Sequence, residues 1–215
     1  MNAATSHPWQ AYLESRATKK IYHQNEIILY QSDEPADAVG LILSGRAKAT
    51  AYSERGEQTW LGEFEAGQFF GHTSFLSRAP IKFEIVAHTD VTALIVPVSA
   101  VQSCLNDSHE FGQAVATDLA LRLDAMIIRL IEALTLSAKG RVCAELIRLS
   151  CPIGISPDKH IVRPNPVFVD VALRINSTRE TVSRTVSELQ KKGIISRQPG
   201  ALIIEKLEML KTSVL

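Results

Sequence analysis

Between Asn176 and Lys192 three charged side chains, Arg179, Glu180 and Arg184, fall at a spacing suited to reading a polar edge. On a helix they occupy one and a half turns and, with Thr178 and Ser183, point away from the apolar stripe Val182, Val186 and Leu189. A guanidinium pairs bidentately with O6 and N7 of guanine, and a carboxylate accepts from the N4 amine of cytosine. Each good pairing is worth about 1–3 kcal/mol of discrimination. The hydroxyls of Thr178, Thr181 and Ser183 suit phosphate oxygens. A surface ion pair also accounts for Glu180 and Arg184, which are four apart with the acid first. Both readings hold together, because such a pair pre-orients Arg184.

The flanking residues provide the elements that hold this face. Val169 to Ile175 supports a short helix, with Ala172 and Ile175 on one side. Asn176 follows, and Asn tolerates the left-handed backbone of a tight turn between helices. Ser177 or Thr178 caps the next helix, and Glu180, three residues after Ser177, would complete a capping box. Lys191-Lys192-Gly193 supplies cations and a glycine at the C-terminus. This is the layout of a helix-turn-helix. Ile194-Ile195-Ser196 and Ala201 to Ile204 then flank Arg197-Gln198-Pro199-Gly200, a β-hairpin forming a wing, with Arg197 positioned for a backbone phosphate.

Upstream, Ile27 to Val98 reads as short β-branched or aromatic runs between turn residues. Val39 to Leu43 is followed by Ser44-Gly45, Arg46 to Tyr52 by a turn at Glu54-Arg55-Gly56-Glu57, and Thr59 to Phe64 by Gly67. Ile85 to Val98 is broken near Thr89-Asp90. Strands this short predict an antiparallel sandwich or barrel. Around Val101 the period changes. Leu119, Leu123, Met126, Leu130 and Ala133 form one seam spaced four, three, four and three, while Ile127, Ile128, Ile131 and Leu134 cover much of the remaining circumference. Such a helix needs cover on more than one side. The simplest cover is its own barrel on one face and a partner helix on the other, in a two-stranded coiled coil; a central helix in a monomer is the alternative. Lys139 to Leu149 is a further helix, and the proline-bearing stretch Cys151 to Pro166 reads as loop and edge strand.

Composition narrows the function classes. The net charge of zero hides a split: from Arg141 onward there are 12 Lys and Arg against 7 Asp and Glu, and before it 11 against 16. The C-terminal third suits a polyanion. Cys104, Cys143 and Cys151 lack C-x-x-C spacing, so they suggest neither a disulfide framework nor zinc and read as reduced core residues. No apolar run approaches the ~20 residues of a membrane span, and Met1 to Gln10 lacks a signal-peptide pattern, so a cytoplasmic location is expected. The histidines, His7, His23, His72, His88, His109 and His160, form no H-x-H or H-E-x-x-H, and there is no G-x-S-x-G, P-loop or dinucleotide fingerprint. No catalytic or metal-ligating residue is assigned, and no enzyme is expected.

With these segments in hand, the sequence resembles the Crp/Fnr family, the catabolite activator and fumarate-nitrate-reduction regulators. Leu41-Ile42-Leu43-Ser44-Gly45, Gly56-Glu57, Gly67-Gln68-Phe69-Phe70-Gly71, Lys139-Gly140-Arg141-Val142 and Arg179-Glu180-Thr181-Val182-Ser183-Arg184-Thr185 follow the family's order and spacing over nearly the whole chain. The resemblance implies an α+β fold: an N-terminal β jelly-roll like a cyclic-nucleotide-binding domain (1–105), a long dimerisation helix (106–136) and a C-terminal winged helix-turn-helix (137–215). It implies a homodimer on near-palindromic double-stranded DNA, with RNA polymerase as partner. Arg179, Glu180 and Arg184 correspond to the family's base-reading residues, within a TGA-containing half-site.

The sensor departs from the family. Members that bind cyclic AMP carry Glu after the Phe-Gly and an Arg-Ser or Arg-Thr pair some ten residues later; here those places hold His72, Lys82 and Phe83. Lys82 keeps the charge without the bidentate fork, and Phe83 replaces a hydroxyl with bulk. Counting back from Gly140-Arg141, Met126 and Ile127 replace the dimer helix's adenine-contacting hydroxyl pair. An effector pocket of Gly71, His72, Thr73, Lys82, Phe83, Met126 and Ile127 is therefore expected to bind cyclic AMP poorly. No cysteine precedes Cys104 to hold an iron-sulfur cluster. His72 is a candidate haem ligand, although a lone histidine is more often a satisfied polar residue. Another nucleotide, a small metabolite or no effector remain open. The competing readings are a cyclic-nucleotide-domain scaffold and a haem or redox sensor with the same DNA output.

Overall fold

The computed structural model describes residues 8–53, 56 and 58–214. The chain divides into two compact units, residues 1–126 and 127–215. The division falls inside a continuous helix.

In the first unit, α1 (Pro8–Arg16) leads into β1 (Thr18–Tyr22), β2 (Ile27–Leu29), β3 (Ala38–Ser44), β4 (Arg46–Tyr52), β5 (Gln58–Glu65) and β6 (Phe69–Phe70). Then come α2 (His72–Ser77), β7 (Glu84–Ala87), β8 (Val91–Pro97), α3 (Val98–Asp107) and α4 (His109–Thr135). The strands form two antiparallel four-stranded sheets, ordered β1-β8-β3-β6 and β2-β7-β4-β5, in agreement with the expected jelly-roll class. Alternation along the strands gives each face its own core. Phe70, Val91 and Ala93 join Ile42, Ala47, Ala49, Ile85 and Ala87 between the sheets. Phe69 and Val96 face the other way and meet Trp9, Val101, Phe111 and Val115 from α1, α3 and α4. Phe111 is the hinge of that outer core, its ring centroid 5.1 Å from Trp9 and 6.0 Å from Phe69. Gly40 is required here, because a Cβ at that position would lie 1.8 Å from the Phe70 ring.

Several features were not visible in the alternation. α1 and β1 precede the first expected strand, and α2 interrupts the strand run. The expected helical stretch is two helices, since α3 ends at Asp107 and Ser108 starts a new one by accepting the Phe111 N–H on its hydroxyl. Of the expected turn at Glu54-Arg55-Gly56-Glu57, only Gly56 lies among the described residues, with a φ of 78°.

The second unit holds the end of α4, α5 (Ala138–Arg148), β9 (Cys151–Pro152), β10 (His160–Val162), α6 (Phe168–Arg174), α7 (Arg179–Lys191), β11 (Ile195–Gln198), β12 (Ala201–Ile204) and α8 (Leu207–Thr212). Its sheet is ordered β11-β12-β10-β9. Val142, Leu146, Val171, Val182, Val186, Leu189, Leu202, Ile204 and Leu210 build its core. The reading of all three cysteines as core residues is corrected: Cys104 and Cys143 are buried, but Cys151 is exposed. It starts β9, an edge strand, where apolar character does not guarantee cover. Burial pushes the Cys143 thiol up to about 11, which makes it inert near neutrality.

Replacing Phe111 by Ala is expected to cost about 3–5 kcal/mol in denaturant unfolding followed by Trp9 fluorescence, because a fully buried ring is lost. Cys151→Ser, at an exposed edge, is expected to change stability by less than about 0.5 kcal/mol.

Candidate functional site

The helix pair α6–α7 is assembled by a turn that only a few residue types tolerate. Asn176 takes a φ of 48°, and the Ser177 N–H donates to the Ala172 carbonyl, closing the turn. Thr178, rather than Ser177, caps α7 by accepting the Thr181 N–H on its hydroxyl. The third helical residue is consequently Thr181, and its hydroxyl lies 3.0 Å from that of Thr178. Glu180 is one position too early for a capping box and instead accepts from Arg184 at 3.1 Å. α7 buries Val182, Thr185, Val186 and Leu189 against α5 and α6, and Gly193 follows it with a φ of 63°.

That burial leaves one face open. Thr178, Arg179, Glu180, Ser183 and Arg184 are exposed, and Thr181 is half-buried. Ser187, one turn further on, is exposed on the same side; it lies outside the sequence-derived set because a serine mid-helix carries no signal by itself. One tie fixes α7 from behind, and another holds the end of α6 that leads into it. Lys139 on α5 donates to Glu188 at 2.6 Å, and Arg141 donates to the carbonyls of Ile175 and Leu136 at 3.0 Å each. In the hairpin, Gln198 pairs with Ala201, so Pro199 and Gly200 form the two-residue turn. Arg197 is exposed on β11 with its guanidinium 5.0 Å from the centre of the Phe168 ring. The basic face is thus a helix start and a wing held by one core.

In the first unit, Gly71, Thr73, Lys82 and Phe83 converge with Leu29, Ser74, Ser77, Pro80 and Ile81 on a pocket of about 180 Å³. His72 does not line it. It is 3% exposed, and its Nε2 lies 3.2 Å from Asp118 Oδ2 on α4. Asp118 also holds Arg122 at 2.7 Å, and Arg122 donates to the Phe69 carbonyl at 3.0 Å while lying 4.1 Å from the centre of the Phe64 ring. Burial opposes the charge on Asp118, but its contacts with His72 and Arg122 outweigh that and hold its carboxyl below the ordinary value. The acid-then-base spacing of Asp118 and Arg122 is legible in sequence; the link to His72 is not, since 46 residues separate it from Asp118. Among the described residues, no group of His, Cys, Asp and Glu could hold a metal ion.

On α4, Leu119 is half-buried, and Leu123, Met126, Ile127, Leu130 and Ala133 are exposed. Leu121, Ile128, Ile131 and Leu134 are exposed as well, so that α4 is fully buried only at Phe111 and Val115.

The sequence profile of the cyclic nucleotide-binding domain matches residues 19–108, and that of the Crp-like helix-turn-helix domain matches residues 140–213. The CRP-like cAMP-activated global transcriptional regulator of Mycobacterium tuberculosis is 23% identical over 183 residues, covering 85% of this chain and 82% of the relative. The transcriptional regulator SdrP of Thermus thermophilus is 27% identical over 192 residues, covering 88% and 91%. Among solved structures, a CooA variant from Carboxydothermus hydrogenoformans aligns with a TM-score of 0.80 at 21% identity, over 98% of this chain and 93% of that one.

Asp118→Asn is expected to destabilise the first unit at pH 7 by about 1.5–3 kcal/mol, the scale of hydrogen bonds to a charged group. Since the folded carboxyl titrates below its unfolded value near about 3.9, the parent's advantage is complete above that value. It is lost as the pH falls through the folded value. Unfolding midpoints of parent and variant measured from pH 7 to pH 2 check both the size and the convergence.

Proposed function

We propose that this chain, a member of the Crp/Fnr family of transcription regulators, binds near-palindromic promoter DNA as a homodimer, with α7 entering the major groove of each half-site. The observation that carries the reading is the split character of α7: one face is fully buried, and the other presents Arg179, Glu180, Ser183 and Arg184 to solvent at the start of a capped helix. Arg179 and Arg184 read guanine and Glu180 reads cytosine, while Thr178, Thr181, Ser183 and Arg197 hold phosphates. The pairing of Glu180 with Arg184 aligns the guanidinium before DNA arrives.

Homodimerisation is supported by α4. Eight large apolar residues from Leu121 to Leu134 are between 44% and 77% exposed in the single chain. Leu119, Leu123, Met126, Leu130 and Ala133 repeat at heptad spacing, which suits a second copy of the same helix. A dimer would call for a two-fold symmetric site, because its two α7 helices would have to meet major grooves about 34 Å apart. The packing of the paired α4 helices fixes that separation, and the barrel biases the packing. RNA polymerase is the partner by family resemblance.

The Mycobacterium relative is by name cAMP-activated. In this chain the pocket beside Lys82 and Phe83 is about 180 Å³, below the roughly 300–1,000 Å³ of drug-sized ligand sites. With His72 turned to Asp118, this supports either a small effector other than cyclic AMP or activity without one, and it weakens the case for haem.

Selection from random DNA with the purified, ligand-free protein is expected to enrich a two-fold symmetric sequence. Arg179→Ala and Arg184→Ala are each expected to weaken binding to it by about 1–3 kcal/mol and to relax preference at one base pair. Unchanged affinity in both variants would sink the assignment of α7 as the reader. Leu130→Glu is expected to shift the sedimenting species from dimer to monomer, since a charge in the seam of a two-stranded helix pair has no partner.

A further inference from the structure

Glu145 is fully buried, an expensive location for a carboxylate. It is surrounded by three guanidiniums from three helices. Arg148, on its own helix α5, donates to Oε2 in a very short contact. Arg174, in the last turn of α6, lies 3.4 Å from Oε1, and Arg129, on α4, lies 3.8 Å from Oε2. The cluster closes on itself: Arg148 also pairs with Glu132 of α4, and Arg129 donates to the Arg174 carbonyl at 3.3 Å. Every member belongs to the second unit. Burial pushes the Arg129 guanidinium below its ordinary value, and Arg148 and Arg174 push the same way; Glu145 opposes them.

We propose that Glu145 is a positioning residue for DNA reading: it pins the end of α6, and with it the turn that orients α7, to the last turns of the dimer helix α4. The chemistry favours this over a merely filled core. An apolar side chain would fill the same volume but would impose no direction, whereas a carboxylate holding guanidiniums from three helices accepts only a narrow set of helix angles. Arg174 is followed directly by Ile175 and Asn176, whose carbonyl bond to Arg141 and left-handed turn lead into the α7 cap. A shift of Arg174 relative to Arg129 therefore passes into the reading face. In a dimer, the same link sets the distance between the two copies of α7.

The inference rests on the DNA-reading assignment above, and failure of that assignment would appear separately, as no enriched sequence for the parent protein. The test uses full-length Glu145→Gln, with the dimer confirmed by sedimentation. Affinity is measured for the selected site and for sites whose half-sites are one base pair closer or further apart. The expected result is roughly tenfold weaker binding to the selected site, with the ratio between correct and altered spacing falling toward one. A folded Glu145→Gln dimer that keeps the parent's spacing ratio overturns the proposal, whatever its absolute affinity. If Glu145→Gln does not fold, Arg129→Gln, which removes only the α4 guanidinium at a partly exposed site, is measured in the same way. A reduced spacing ratio supports the proposal and an unchanged one overturns it.

Discussion

Helix α4 carries large apolar side chains around most of its last four turns, and within one chain none of them is buried. Exposed apolar patches of this extent are uncommon on a monomer and mark interaction surfaces. The constraint reaches both ways. A helix of 27 residues is about 40 Å long, so its covered start and its bare remainder are separate problems in packing. Phe111 and Val115 solve the first by entering the core built around Trp9 and Phe69. In the proposed dimer the second is met by another α4, which has the same length and period.

Where α4 is not apolar, it is held by charge. Asp118 and Arg122 tie its first half to Phe69 of β6 and His72 of α2, and Arg129 and Glu132 tie its last turns to Glu145, Arg148 and Arg174. Both clusters use a carboxylate that is shielded from water and multiply paired, the condition under which a buried charge costs least. Hydrophobic contact is tolerant of sliding and rotation; charge-assisted bonds from several helices to one carboxylate are not. Between and beside these charged residues, the exposed apolar side chains from Leu121 to Leu134 are the ones left for the proposed partner. Position and association are thus assigned to different residues of one helix.

Most of the fold was legible because its signals are local. The helix-turn-helix could be read from Asn176, a capping hydroxyl and three apolar positions, and the hairpin from Pro199-Gly200 between two short apolar runs. α1 and α8 carry weak periodicity and owe their form to what they cover, since Trp9 and Leu13 lie in the outer core of the barrel and Leu210 in the core of the second unit; β1 is largely exposed and is held by its pairing with β8. The choice of Thr178 over Ser177 as cap turns on one backbone bond, which neighbouring hydroxyls leave open in a sequence. Long-range polar contacts were the least visible. Nothing near His72 announces Asp118, and a glutamate inside the amphipathic α5 reads as solvent-facing until Arg129 and Arg174 arrive from other helices. Of the residues assigned to an effector pocket, Gly71 and Thr73 at the start of α2 converge with Lys82 and Phe83 of the loop after it, whereas His72 is turned to Asp118 and Met126 and Ile127 are exposed on α4 and do not line it.

The proposed reading face follows the opposite rule from the supporting clusters. Glu180 and Arg184 pair in the open, where an ion pair of this spacing is worth only about 0.3–0.5 kcal/mol. A good contact to a base edge is worth about 1–3 kcal/mol, so the pair lends orientation without competing with DNA. Were the same two residues enclosed together, as Glu145 and Arg174 are, the exchange would be opposed by the cost of leaving a shielded charge unpaired. Rigid placement and reversible recognition need opposite environments for the same functional groups. The chain meets both needs with the same two residue types, enclosing Glu145 with Arg174 and leaving Glu180 and Arg184 open on the first turns of α7.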